Sequence, residues 1–307
     1  MSYILKKKNN FKYPVVTMGT FDGVHLGHQE LIRRLVKIAR DNSGEAVIIT
    51  YYHHPLETIH KKTFPYLLTE RDKKEELLKS IGVNEVLYLK FTSDLAAMKP
   101  LDFLQKIIME EMHSRELVVG YDTHFGRNRV GNVEFLRDCA ARFNYRVNLV
   151  PPFKLNNQIV SSSLIRDLIR EGNMLKAKNH LGRYYSISGN VIKGHKLGRD
   201  LGYPTINLSP HDSNKLIPAI GVYACKIKID KRDWIGVTNI GYSPTLKMDR
   251  IKQVETHIID FSGDLYDNKV EIFFYQRLRD EFYFRSKDEL IKAISRDIRS
   301  TRRIFEI

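Results

Sequence analysis

A buried-strand pattern, Pro14–Met18, runs directly into GTFDGVHLGH at 19–28, and a helical pattern follows with Leu31, Ile32, Leu35, Val36 and Ala39 at spacings of three and four. The stretch is therefore a strand-to-helix turn. Gly19 and Gly23 allow a sharp bend and a close backbone approach to a ligand. His25 and His28 are three apart, so they share one face of the opening helical turn. A helix start also offers unsatisfied N–H groups and the positive end of a dipole. Two imidazoles over such an end form a receptor for phosphate oxygens.

The remaining pattern of the first half repeats this unit. Strands are predicted at Glu45–Tyr51, 83–89, Glu116–Gly120 and 145–150, with helices from the capping box Thr69-x-x-Asp72 through Ser80, at 100–113 and at 131–143. Strands alternating with helices imply a parallel sheet covered on both faces, with ligands at the carboxyl ends of the strands. The chain contains neither GxxxxGK[ST] nor GxGxxG, which disfavours a P-loop kinase and a dinucleotide dehydrogenase. In VSSSLIR at 160–166, Ser161 or Ser162 can cap a helix beginning near Ser163, and Arg166 on its first turn completes a second anion clamp.

After a short amphipathic helix at 171–182 the periodicity switches to strand alternation, which places a boundary near 182–185: one domain over 1–183, another over 184–307. A length of 307 residues fits two domains. In the second half, GHKLGRDLGYPTINL at 194–208 joins three glycines, Gly194, Gly198 and Gly202, to a strand; Gly198, Arg199 and Gly202 suggest a flap over phosphates. Thr205 and Asn207, two apart on that strand, face the same way and make a hard-oxygen site for magnesium, completed by ATP. Further strands at 221, 234, 254 and 269, then a helix opened by Ser286-x-x-Glu289 with Leu290, Ile294 and Ile298 on one face, predict a small antiparallel barrel with a terminal helix. Glu255, between apolar strand residues, can orient a primary hydroxyl and accept its proton.

Composition narrows the remaining classes. No apolar run reaches the roughly 20 residues of a bilayer span, and the basic start lacks the apolar stretch of a secretory signal. Two distant cysteines, Cys139 and Cys225, fit a reducing cytoplasm and neither a disulfide framework nor structural zinc. The net charge of +14 is spread along the chain apart from clusters at 6–8 and 299–303, and no nucleic-acid-binding module accompanies it. Steering of ATP accounts for the surplus, and no nucleic-acid or membrane partner is expected.

GTFDGVHLGH resembles the signature of the HxGH nucleotidyltransferase superfamily and, over its whole length, that of bacterial bifunctional riboflavin kinase/FAD synthetases. The second half carries a string similar to the riboflavin kinase motif Gly-Arg-x-Leu-Gly-x-Pro-Thr-x-Asn. The resemblance implies an α/β fold: a Rossmann-like nucleotidyltransferase domain with a parallel sheet, then a riboflavin kinase-like barrel. It implies phosphorylation of riboflavin to FMN, adenylylation of FMN to FAD, Mg2+, and flavins and ATP as the small-molecule partners of a monomer or weak homo-oligomer. It makes Gly19, Phe21, Asp22 and Gly23 nucleotide-binding. His54 matches a family His-Pro, and Asp122 and Phe125 match a flavin loop in which Thr123 replaces an aromatic. Ser162, Ser163 and Arg166 match leaving-group ligands, Asn239 and Arg279 ligand-binding positions, and Glu255 the catalytic base, with Asp267 in place of a Gly. A nucleotidyltransferase for another substrate would share only the first half, and a basic nucleic-acid-binding regulator would share neither motif.

Overall fold

The computed structural model describes residues 10–53, 66–194, 198, 201–242 and 252–306. By contact the chain divides into two compact units, Met1–Ser162 and Ser163–Ile307. The division expected at 183–184 differs from this one by two helices.

The first unit is built around five parallel strands: β1 (Pro14–Met18), β2 (Glu45–Tyr51), β3 (Glu85–Leu89), β4 (Glu116–Gly120) and β5 (Arg146–Val150), in the order β3-β2-β1-β4-β5. Adjacent residues of each strand serve opposite faces. Val16, Val47, Ile49, Leu87 and Leu89 join one apolar cluster; Val15, Ala46, Ile48 and Val86 join the other. The inner strands are buried on both faces, which is why they read as nearly continuous apolar runs, broken only by residues such as Thr17 and Thr50. Helices α1 (Leu26–Asp41), α2 (Arg71–Ser80), α3 (Ser93–Ala97), α4 (Pro100–Phe103, continuing as a π-helical segment Leu104–Glu111) and α5 (Val133–Phe143) cover the faces. A hairpin follows, β6 (Lys154–Leu155) with β7 (Gln158–Ile159). The hairpin and α3 are additions to the sequence expectation.

One helix starts a residue later than its expected cap. The cap of α2 is Glu70, without a side-chain cap bond. Thr69 lies outside the helix because its N–H donates to the carboxylate of Asp22, 3.1 Å away.

In the second unit, α6 (Ser162–Arg170, whose first residue is the last of the first unit) and α7 (Met174–Leu181) precede a closed antiparallel barrel. Its strands are β8 (Tyr185–Ile192), β9 (Thr205–Pro210), β10 (Gly221–Ile229), β11 (Arg232–Tyr242), β12 (Lys252–Ile258) and β13 (Lys269–Arg279), in the order β10-β11-β12-β9-β8-β13. The two helices pack on the barrel: the Ala219 N–H donates to Ile169 at 3.2 Å, and Lys178 lies 4.4 Å over the Tyr184 ring. The terminal helix α8 (Lys287–Ile304) starts as its sequence predicts, with Ser286 Oγ accepting the Glu289 N–H at 3.2 Å and Glu289 reaching back to the Arg285 N–H at 2.9 Å. Its buried line differs from the expected one. Ala293, Asp297 and Thr301 are buried, while Leu290, Ile294 and Ile298 are half-covered. Asp297 turns inward because Arg279 holds both its carboxylate oxygens at 2.9–3.1 Å.

Candidate active sites

The sheet reverses its winding between β1 and β4, and ligands of open α/β sheets bind at the carboxyl ends of the strands at such a switch. The loops leaving β1 and β4 are GTFDGVH and YDTHFG. The Gly19 N–H still bonds to Ile49 at 3.1 Å, after which the chain turns through positive φ at Phe21 (48°), Gly23 (88°) and Val24 (38°). A β-branched residue there is strained, and strain of this kind persists only where the surroundings enforce it. Here burial of the Phe21 and Val24 side chains enforces it, together with Asp22. Asp22 is 3% exposed; its carboxylate accepts the N–H groups of Leu68 and Thr69 at 3.0 and 3.1 Å, and its carbonyl accepts Ser162 Oγ at 2.8 Å. Asp22, expected at the nucleotide, therefore anchors the loop to the approach of α2.

His25 is the N-cap of α1, its Nδ1 accepting the His28 N–H at 3.3 Å. In the neutral ring that bond assigns the proton to Nε2 and makes that nitrogen the donor. The two rings stack with centroids 3.6 Å apart, and Phe21 meets His28 edge-on at 5.3 Å. Gly27 makes room: a Cβ there would stand 3.3 Å from the His25 ring. The sequence prediction of two imidazoles sharing one face at a helix mouth is what the geometry has.

The other expectations for this half divide. Asp122 is exposed at the end of β4, its carbonyl 2.9 Å from His124 Nδ1. Phe125 is 5% exposed and packs against Phe103 (5.4 Å) and Phe135 (6.0 Å), so it is a core residue under the loop. Ser163 and a buried Arg166 lie on the opening turn of α6, in the second unit. His54 lies outside the described residues. Sequence reasoning missed Lys74. From α2 its Nζ donates to the Thr20 carbonyl at 3.2 Å and to Thr50 Oγ1 at 3.4 Å. A lysine on a predicted helix carries no signal of this; only the packing of α2 reveals it.

On the barrel, register assembles the second candidate site. Asn207 of β9 stands opposite Glu255 of β12, which stands opposite Asn239 of β11; Thr205 stands opposite His257. Directly paired residues share a face, so these side chains form one polar row. The alternate residues Thr238, Thr256, Val254 and Leu208 are buried, with Thr238 and Thr256 hydroxyls 2.9 Å apart. The row thus lies outside the barrel. Gly194 belongs to it: a Cβ there would overlap the Asn207 side-chain amide. A Cβ at Gly198 would fall on the Tyr203 carbonyl and 3.3 Å from Thr205 Oγ1, while Gly202 (φ 82°) has open space around it. Arg199 lies outside the described residues. Asn239 Nδ2 donates to Glu281 at 3.4 Å, adding a carboxylate that no motif announced. Arg279, expected at a ligand, is bound to Asp297 and to the Asp280 carbonyl at 2.9 Å, so it fastens α8. Asp267 has φ 64°, which explains why a glycine suits that position. A hydroxyl, an amide oxygen and a carboxylate on adjacent strands are the hard-oxygen donors that magnesium takes, so the residues present fit it.

Comparison with known proteins agrees with both halves. The FAD synthetase family model matches residues 7–164 and the riboflavin kinase family model residues 181–305. The bifunctional riboflavin kinase/FMN adenylyltransferase of Buchnera aphidicola subsp. Schizaphis graminum is 35% identical over 99% of this chain and 97% of its own. That of Escherichia coli K12 is 31% identical over 95% and 92%. A crystal structure described as a macrolide-efflux protein from Streptococcus pneumoniae has 31% identity, covers 94% of this chain and 93% of its own, and superposes with a TM-score of 0.86. Among the described residues of this chain no helix is long and apolar enough to cross a membrane. Two family matches in tandem and full-length relatives place the chain in the bifunctional riboflavin kinase/FMN adenylyltransferase family.

Proposed function

We propose that this chain makes FAD from riboflavin in two ATP-dependent steps, with residues 184–307 performing the first and 1–183 the second. In the first, the riboflavin 5′-hydroxyl oxygen bonds to the γ-phosphorus of ATP, ADP leaves, and Glu255 accepts the hydroxyl proton. Thr205 and Asn207 would hold Mg2+, which when bound neutralises phosphate charge. Phosphoryl transfer asks chiefly for positioning and neutralisation, so the chain's own task is to set one carboxylate beside the phosphate site. The register that puts Glu255 directly across from Asn207 is the observation that carries this reading.

In the second step an FMN phosphate oxygen bonds to the α-phosphorus of another ATP and pyrophosphate leaves. His25 and His28 donate to oxygens of the transferring phosphorus centre at the mouth of α1, and no covalent enzyme intermediate forms. Ser163 and Arg166 keep pyrophosphate binding on the resemblance alone. The enzyme works in the cytoplasm on free flavins and ATP, as a monomer or weak homo-oligomer.

The test is to incubate the protein with riboflavin, ATP and magnesium and resolve the flavins. His28→Ala accumulates FMN with FAD formation down about 100-fold, the scale of a lost oxyanion donor. Glu255→Ala lowers FMN formation by about 100-fold or more, as for a lost general base, and still converts supplied FMN. Equal loss of both steps in both variants would refute the division of labour, and CTP replacing ATP equally well would point to a different nucleotidyltransferase.

A further inference from the structure

We infer that Lys74 is a positioning residue of the adenylyl-transfer site, its ammonium holding the signature loop in the conformation that presents His25 and His28. The inference rests on the adenylyl-transfer reading and deepens it. The loop is fastened to α2 twice and in opposite senses. Asp22 reaches from the loop to the backbone of Leu68 and Thr69, just before the helix. Lys74 reaches from the helix back to the backbone of the loop, at Thr20, 3.2 Å away. Thr50 at the end of β2 closes a triangle, its Oγ1 donating to the same Thr20 carbonyl at 3.2 Å and accepting from Lys74 at 3.4 Å. Thr20 immediately precedes Phe21, the first of the positive-φ residues, and His25 ends the turn. Removing the ammonium leaves the Thr20 carbonyl to Thr50 alone and cuts its tie to α2, so the strained stretch relaxes and the imidazole pair moves with it.

The ammonium lies in an enclosed setting. Burial pulls its pKa down to about 8, opposed by the Asp22 carboxylate of the loop and reinforced by Arg71 one turn earlier on α2; Thr50 contributes no charge. As pH rises through that value the ammonium loses its charge and its grip on Thr20 weakens. Adenylyl transfer therefore has an alkaline limb that belongs to Lys74.

The experiment uses the full chain and measures FMN-to-FAD and riboflavin-to-FMN conversion in parallel across pH, with amide hydrogen exchange of residues 19–25. Lys74→Met lowers kcat for FAD formation by about 100-fold, the scale of a misplacement of about 1 Å. It speeds exchange in the loop and leaves riboflavin phosphorylation unchanged. Lys74→Arg recovers most of the rate and loses the limb near pH 8, because a guanidinium stays protonated there. A Lys74→Met protein with wild-type rate and loop protection overturns the inference, as does a limb that persists in Lys74→Arg. If the wild type forms no FAD, the adenylyl-transfer reading fails, and loop exchange alone decides whether Lys74 holds the loop.

Discussion

Replacing Asp22 with alanine isolates the other half of that clamp, and the structure sets the size of the effect. The carboxylate satisfies two backbone N–H groups, Leu68 and Thr69, on residues only 1% and 4% exposed. A buried donor left without its acceptor costs about 1–3 kcal/mol, and water entering the vacated space recovers part of that. Two orphaned donors then amount to about 2–4 kcal/mol, or a shift of about 30- to 1,000-fold in the opening equilibrium at 1.4 kcal/mol per decade. Asp22→Asn should lose far less, about 1 kcal/mol, because a single oxygen at the Oδ1 position reaches both N–H groups, at 3.0 and 3.1 Å.

The assay must see the first unit alone, since two units need not unfold as one. The sole tryptophan, Trp234, lies on β11 of the barrel, so its fluorescence reports the second unit. Amide exchange at residues 68 and 69 reports the first. Asp22→Ala should accelerate exchange there by the stated factor, reduce FAD formation, and leave the Trp234 transition in urea where it was. Exchange within threefold of wild type would refute the reasoning, and so would an equal loss in the tryptophan transition.

Two further outcomes follow from crowding. Gly194→Ala drives a methyl group onto the Asn207 amide, so riboflavin phosphorylation should need more magnesium and slow by about 10- to 100-fold, with FMN adenylylation unchanged; a magnesium titration of each half-reaction checks it. Phe125→Ala should destabilise the first unit by about 3–5 kcal/mol, the usual range for a buried Phe, while Phe125→Leu keeps both its fold and its KM for FMN; a tenfold rise in that KM would restore a direct flavin contact.

Local periodicity carried much of this protein. Strands alternating with helices announced the parallel sheet, the switch to strand alternation announced the barrel, and spacing alone put His25 with His28 and Thr205 with Asn207 on common faces. These signals survive because backbone geometry sets which way a side chain points within one element, whatever surrounds it. Tertiary structure decided the rest, since those contacts join residues that have no fixed relation along the chain. The carboxylate that accepts the Thr69 N–H comes from 47 positions away, and the lysine under the signature loop comes from 54 positions away. Strand order placed β1 beside β4 and so set the candidate nucleotide site where the sheet reverses its winding, and strand register set Glu255 across from Asn207. A shift of one residue in that register would have turned the carboxylate into the barrel without altering a letter of the motif.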